Sequence, residues 1–142
     1  MGYGLGAAIG ASIAMDKKRT VLFTGDGSFG MNLNEIATAV TLGLPITIIL
    51  LNNGSLGMVR QIQNLFYDKR YSNTTLNRKT DFPALARAFG AEGYSIDNLT
   101  ELDDILKIIP DNIPSILECK IDIDEKVLPM IPVGMTIQDM II

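Results

Sequence analysis

The chain has 142 residues, 47% of them hydrophobic, a net charge of −4 and no histidine. Its length makes a single domain that can bury about 70% of its unfolded surface, and its acidic balance excludes a nucleic-acid binder, which needs clustered Lys and Arg. The missing histidine excludes serine or cysteine hydrolase dyads built on His, and zinc sites of the usual His-containing kinds.

Residues 3–15, "YGLGAAIGASIAM", are small and apolar without a turn cluster, and predict a closely packed helix. The run Lys17 to Arg19 reads as a solvated turn leading into "TVLFT", a β-branched strand. After "GDGSFG", Leu33, Ile36, Ala37 and Val40 share one helical face, Asn32 with Glu35 reads as a capping pair, and Gly43 as the stop. That spacing predicts a helix of about three turns. Pro45 opens "ITIILL", whose continuous apolar character suits a strand buried on both faces of a parallel sheet. The loop "NNGSLG" follows, then a short helix from Met58 to Phe66 and the polar, irregular "YDKRYSNTTLNRKTD". Asp81 and Pro83 start a helix that Gly90 stops, and "EGYSI" is a short strand. Thr100 with Asp103 is expected to cap a helix carrying Leu102, Ile105, Leu106 and Ile109, ended by Pro110; "SILECKI" is the final strand. Helices alternating with apolar strands predict an α/β fold over residues 1–123, an open parallel sheet with helices on both faces. Residues 124–142, with their prolines and apolar residues, read as a tail that packs on the domain or on a partner.

The single cysteine, Cys119, rules out an internal disulfide, reads as a buried inert thiol and points to a reducing compartment. No window approaches the ~18 to 20 uninterrupted apolar residues of a membrane span, and no signal peptide is visible. The expectation is a soluble, cytoplasmic protein with neither nucleic acid nor membrane as a partner. The mean hydropathy of +0.25 is high for a soluble domain and implies apolar surface that meets a partner or the rest of a larger fold.

Both turn-like stretches follow strands, and in open parallel sheets ligands sit beyond the carboxyl ends of the strands. Asp26 offers a hard anionic oxygen, while Gly25 and Gly27 let the backbone approach a ligand. The N–H groups near Gly27 and Ser28, at a helix start, favour a phosphate. Asn53 adds a neutral amide oxygen. One carboxylate, one amide and one backbone carbonyl, completed by phosphate oxygens and water, is the ligand set expected of Mg²⁺. Either loop alone is a common turn. Together, a GDG and an NN separated by 24 residues that hold one helix and one strand form the pattern of the thiamine-diphosphate-binding motif.

The similarity extends beyond that motif. In order, "MGYGLGAAIGA", "GDGSFGMNLNEIATAV", "LPITIILLNNGSLGMVRQIQNLFYDKRYS", "DFPALARAFGAEGY" and "VLPMIPVG" resemble the C-terminal cofactor domain of acetolactate synthase (acetohydroxyacid synthase) large subunits. The resemblance implies Asp26 and Asn53 as side-chain Mg²⁺ ligands and the main-chain carbonyl of Ser55 as a third. It implies that Gly25, Gly27 and Ser28 line the diphosphate, with Leu56, Gly57 and Met58 near the cofactor and Met1 holding the thiamine in its bent form. It also implies the activity: decarboxylation of pyruvate and carboligation to a second 2-ketoacid, in branched-chain amino acid biosynthesis. In the family the activating glutamate comes from an N-terminal domain of a partner subunit, FAD is bound by a middle domain, and the enzyme is a homodimer served by a small regulatory subunit. The chain therefore reads as a fragment truncated at its N-terminus or one part of a split enzyme, inactive alone and prone to self-associate through an uncovered sheet edge.

Two positions depart from the family pattern. Ile62 stands between the glutamines of "RQIQ" where the family has tryptophan, which puts the preference for 2-ketobutyrate over pyruvate in doubt, and Gly6 replaces a proline. The rival readings are another thiamine-diphosphate-dependent decarboxylase, oxidase or carboligase, which shares the GDG and NN loops, and a non-catalytic dimerising scaffold. The "LFYDKRYS" segment favours the synthase.

Overall fold

A computed structural model describes residues 1–142. Helix α1 (Tyr3–Ala14) precedes strand β1 (Thr20–Gly25), and a four-residue helix α2 (Asp26–Phe29) begins where β1 ends. A 3-10 turn (Leu33–Glu35) leads into α3 (Ile36–Thr41), then β2 (Ile46–Asn52), α4 (Gly57–Phe66) and α5 (Phe82–Ala88). Strand β3 (Glu92–Ile96), helix α6 (Leu102–Ile108) and strand β4 (Ser115–Lys120) complete the alternation. The four strands are parallel in the order β1-β2-β4-β3.

Strand β2 carries the sheet because both of its faces are apolar. Ile46, Ile48 and Leu50 enter one core with Leu5 and Ile9 of α1, Ile36 and Ala39 of α3, and Phe82 and Ala86 of α5. Ile49 enters a second, smaller core with Leu117 and Ile96, against Leu102 and Ile105 of α6. The two-residue period of a strand thus divides one apolar run between two layers of helix. Phe29 and Phe82 meet edge to face at 5.9 Å and join α2 to α5. Strand β1 lies at the sheet edge: Leu22 packs on the larger core, whereas Phe23 on the opposite side is 70% exposed. No helix is long and apolar enough to cross a membrane.

Local signals hold at several boundaries. Asp81 caps α5 by accepting from the Ala84 N–H at 2.8 Å, and Gly90 ends that segment in the left-handed region at φ +88°. Gly93 in β3 faces the Pro83 carbonyl so closely that a Cβ would collide with it, which sets α5 hard against the strand.

Two expected caps differ. Asn32 does not cap the helix of residues 36–41; its amide donates to the Gly2 carbonyl at 2.5 Å, while the Glu35 carboxylate accepts from Thr38. The predicted three-turn helix is accordingly a 3-10 turn followed by the six residues of α3. Before α6 a 3-10 turn (Leu99–Glu101) is capped by Asn98, which accepts from the Thr100 N–H at 3.0 Å, so Thr100 lies inside that turn, and α6 itself has no side-chain cap. In the first case the competing partner is 30 residues away in sequence, and a local pattern does not contain it.

Candidate functional site

The two loops leave the carboxyl ends of neighbouring strands, with Gly25 of β1 in register with Leu51 of β2. Asp26 follows β1 directly and Asn53 follows β2 directly. A cavity of about 600 Å³ opens between the loops, lined by Met1, Gly25, Asp26, Gly27, Ser28, Asn53, Ser55, Leu56, Gly57 and Met58. All ten residues singled out in the sequence therefore face one space.

The first loop carries the charge. Asp26 is 2% exposed and its Oδ1 has no hydrogen-bond partner. Burial pushes its carboxyl up from the usual carboxylate value, against the Gly27 N–H, the Arg78 charge, its own N–H and the Asn53 N–H, which all favour the ionised form. Gly27 lets the apolar wall close over the loop: a Cβ there would lie 2.9 Å from Leu56 Cδ2 and 3.6 Å from Met1 Cε and would push these side-chain ends aside. The Ser28 hydroxyl accepts from the Gly2 N–H at 2.9 Å, and that bond brings Met1 to the cavity wall.

The second loop is built from Asx turns. Asn52 Oδ1 accepts from the Gly54 N–H at 3.1 Å and Asn53 Oδ1 from the Ser55 N–H at 3.0 Å, with Gly54 in the left-handed region at φ +61°. Helix α4 starts at Gly57, where a Cβ would lie 2.8 Å from Asn53 Nδ2. No protein donor reaches the Ser55 carbonyl.

Three supports were not legible as site features. Glu118 of β4, 5% exposed, accepts from Asn52 Nδ2 at 2.6 Å and from the Ser95 hydroxyl at 3.2 Å, and so braces the root of the second loop. An acidic residue inside the apolar "SILECKI" was the available signal for it. The irregular segment after α4 pairs with the second loop: Leu56 N–H donates to the Thr74 carbonyl at 2.8 Å and Leu76 N–H to the Gly54 carbonyl at 2.7 Å. From that segment Arg78 reaches the first loop, its Nη1 donating to the Asp26 carbonyl at 2.9 Å. Finally, residues 125–128 form part of the cavity wall. The Gln61 side chain holds them, accepting from the Val127 N–H at 2.8 Å and donating to its carbonyl at 3.1 Å. Arg60 beside it pairs with Asp124 at 2.7 Å and lies over the Tyr71 ring.

The donor set suits a hard divalent cation that arrives with its own oxygens. An orphaned carboxylate oxygen, an amide oxygen with one N–H on it and an unpaired carbonyl belong to three residues that line the same cavity. No cluster of three His, Cys, Asp or Glu side chains exists, so the protein alone does not complete a coordination shell. Cys119 is half-buried, with burial pushing its thiol up, as fits an unreactive residue.

Residues 1–119 match the family described as thiamine pyrophosphate enzyme, C-terminal TPP binding domain. The chain is 43% identical over 141 residues to the acetolactate synthase large subunit of Lactococcus lactis, covering 99% of this chain and 24% of that protein. It is 42% identical over 142 residues to the acetolactate synthase isozyme 2 large subunit of Escherichia coli, covering 99% and 26%. It is 43% identical over 143 residues to the mitochondrial acetolactate synthase catalytic subunit of Saccharomyces cerevisiae, covering 99% and 20%. The chain thus spans about a quarter of the length of the curated relatives it matches. A family match that runs through both loops and the sheet between them makes this chain a member of the thiamine pyrophosphate enzymes, within their C-terminal TPP binding domain.

Proposed function

We propose that the cavity binds thiamine diphosphate with Mg²⁺, and that the chain serves as the cofactor domain of an acetolactate synthase large subunit. In the whole enzyme the reaction would be decarboxylation of pyruvate and carboligation to a second 2-ketoacid, within branched-chain amino acid biosynthesis. The observation that carries this reading is the Asp26 carboxylate oxygen, buried and without a partner on the cavity wall. A buried acceptor left unmade costs about 1–3 kcal/mol, and a cation is the natural partner for it.

Asp26 and Asn53 would hold the ion through their side chains and Ser55 through its carbonyl. The backbone at Gly25, Gly27 and Ser28 would meet the diphosphate, and Met1, Leu56, Gly57 and Met58 would meet the rings. When bound, thiamine diphosphate supplies the electron sink for breaking and forming carbon–carbon bonds. The chain's part is to anchor the ion, whose charge would favour the ionised form of the buried Asp26 carboxyl, and to exclude water with Leu56, Met58 and the strap of residues 125–128. The titratable side chains on the cavity are Asp26, Glu125 and Lys126, and none is a histidine. Proton transfer therefore falls to the cofactor or to residues outside this chain, and the chain alone is expected to show no synthase activity. Exposed apolar residues on β1 favour assembly with a second copy or with further domains of the enzyme.

Calorimetric titration with thiamine diphosphate, with and without Mg²⁺, tests the reading. Saturable, Mg²⁺-dependent binding that is lost in Asp26→Ala is the expected result. A folded wild-type chain that takes up no cofactor, or an Asp26→Ala variant that binds equally well, would overturn it.

A further inference from the structure

We infer that Arg78 is a positioning residue that ties the two loops together and fixes the separation of Asp26 and Asn53 before a ligand arrives. The β1–β2 ladder ends at the pair Gly25 and Leu51. Both loops lie beyond it, so their spacing is not set by sheet hydrogen bonds; the Asn53 N–H reaches the Asp26 carboxyl directly, and Arg78 adds a second link. The segment that carries Arg78 is joined to the second loop by the Leu56–Thr74 and Leu76–Gly54 backbone bonds and by the Ser55 hydroxyl, which donates to the Thr74 carbonyl at 3.1 Å. Two residues beyond Leu76, the Arg78 side chain crosses to the first loop and donates to the Asp26 carbonyl at 2.9 Å. One guanidinium thus links a segment welded to one loop with the residue that carries the charge of the other.

The first loop is shaped to receive it. Gly30, at the end of α2, leaves the space in which the guanidinium lies, and a Cβ there would collide with Arg78 Nη1. A planar, permanently charged fork suits this position because one N–H can bind the carbonyl while the charge faces the buried carboxylate. Arg78 also acts electrostatically on the Asp26 carboxyl, favouring its ionised form. The inference about ligand affinity rests on the proposed function, whereas the tie between the loops does not.

Two measurements on the full chain separate these. In the ligand-free protein, amide exchange at Asn53, whose N–H reaches the Asp26 carboxyl from the other loop, and at Leu76 reads the tie; Arg78→Ala should speed both by about tenfold, the effect of losing one charge-assisted hydrogen bond. Calorimetry should show affinity for Mg²⁺ with thiamine diphosphate falling by about tenfold, as for supporting residues of ion sites generally. Gly30→Ala displaces the guanidinium but keeps its charge, and should move both readings the same way. Unchanged exchange in Arg78→Ala overturns the inference. So does a gain in affinity, because repulsion between Arg78 and the ion would then outweigh positioning. If the wild-type chain binds no cofactor, the functional reading fails and the exchange rates still decide whether Arg78 ties the loops.

Discussion

In the second loop the polar side chains are already occupied: Asn52 and Asn53 each hold a backbone N–H within the loop, and Ser55 holds the Thr74 carbonyl. In the first loop the Asp26 carboxylate is as deeply buried as Ser55, yet one of its oxygens has no partner. The second loop keeps its shape with no help from a ligand. The first bears an unmet desolvation cost that only an added positive charge relieves. Two loops of similar appearance in sequence therefore divide the work, one supplying shape and the other supplying charge.

The largest expected effect breaks this comparison at its charged side. Asp26→Ala should weaken Mg²⁺-dependent cofactor binding by about 100-fold or more, and should at the same time stabilise the free fold by no more than about 1 kcal/mol, because the orphaned oxygen is gone but the Gly27 and Asn53 N–H groups lose their acceptor. Titration calorimetry and denaturant unfolding on the same sample check both signs; a loss of stability would mean that the carboxylate contributes to the fold. Asn53→Ala should behave differently, with binding about tenfold weaker and stability lower by about 1 kcal/mol, because its amide oxygen closes the turn at Ser55.

A smaller change sharpens the contrast at the root of the second loop. Glu118→Gln leaves shape intact but removes the charge that receives Asn52 and Ser95, and should cost about 1 kcal/mol in urea unfolding. An unaltered midpoint would show that the brace is dispensable.

The finest test is pH. Burial holds the folded Asp26 pKa above its unfolded value, so the folded chain binds this proton more tightly. Its contribution to stability is complete below the ordinary carboxylate range and is lost as pH rises from that range through the raised folded value. Ion binding needs the carboxylate and should strengthen over the same interval. Unfolding and binding measured from acidic to neutral pH should thus slope in opposite directions, and both slopes should flatten in Asp26→Ala; parallel slopes in the wild type would contradict the assignment.

How much of this was legible in the sequence depended on the range of the interactions. Runs such as "ITIILL" declare a doubly buried strand because the pattern is contained within the element, and Asp81 caps α5 because the bond spans three residues. The same reasoning misplaced the caps at Asn32 and Thr100, where other acceptors and donors were available. Gln61 gave no hint that it would clamp Val127, since the two meet only after the tail folds back on α4.

By itself the sequence determined that two turns, one acidic and one amide-bearing, terminate apolar strands, because strand length, turn chemistry and glycine placement are local properties. Only the tertiary structure decided that Arg78 bridges the two loops and that residues 125–128 wall the cavity. Those contacts join positions distant along the chain, and their formation rests on packing and desolvation across the whole sheet, which no short pattern encodes.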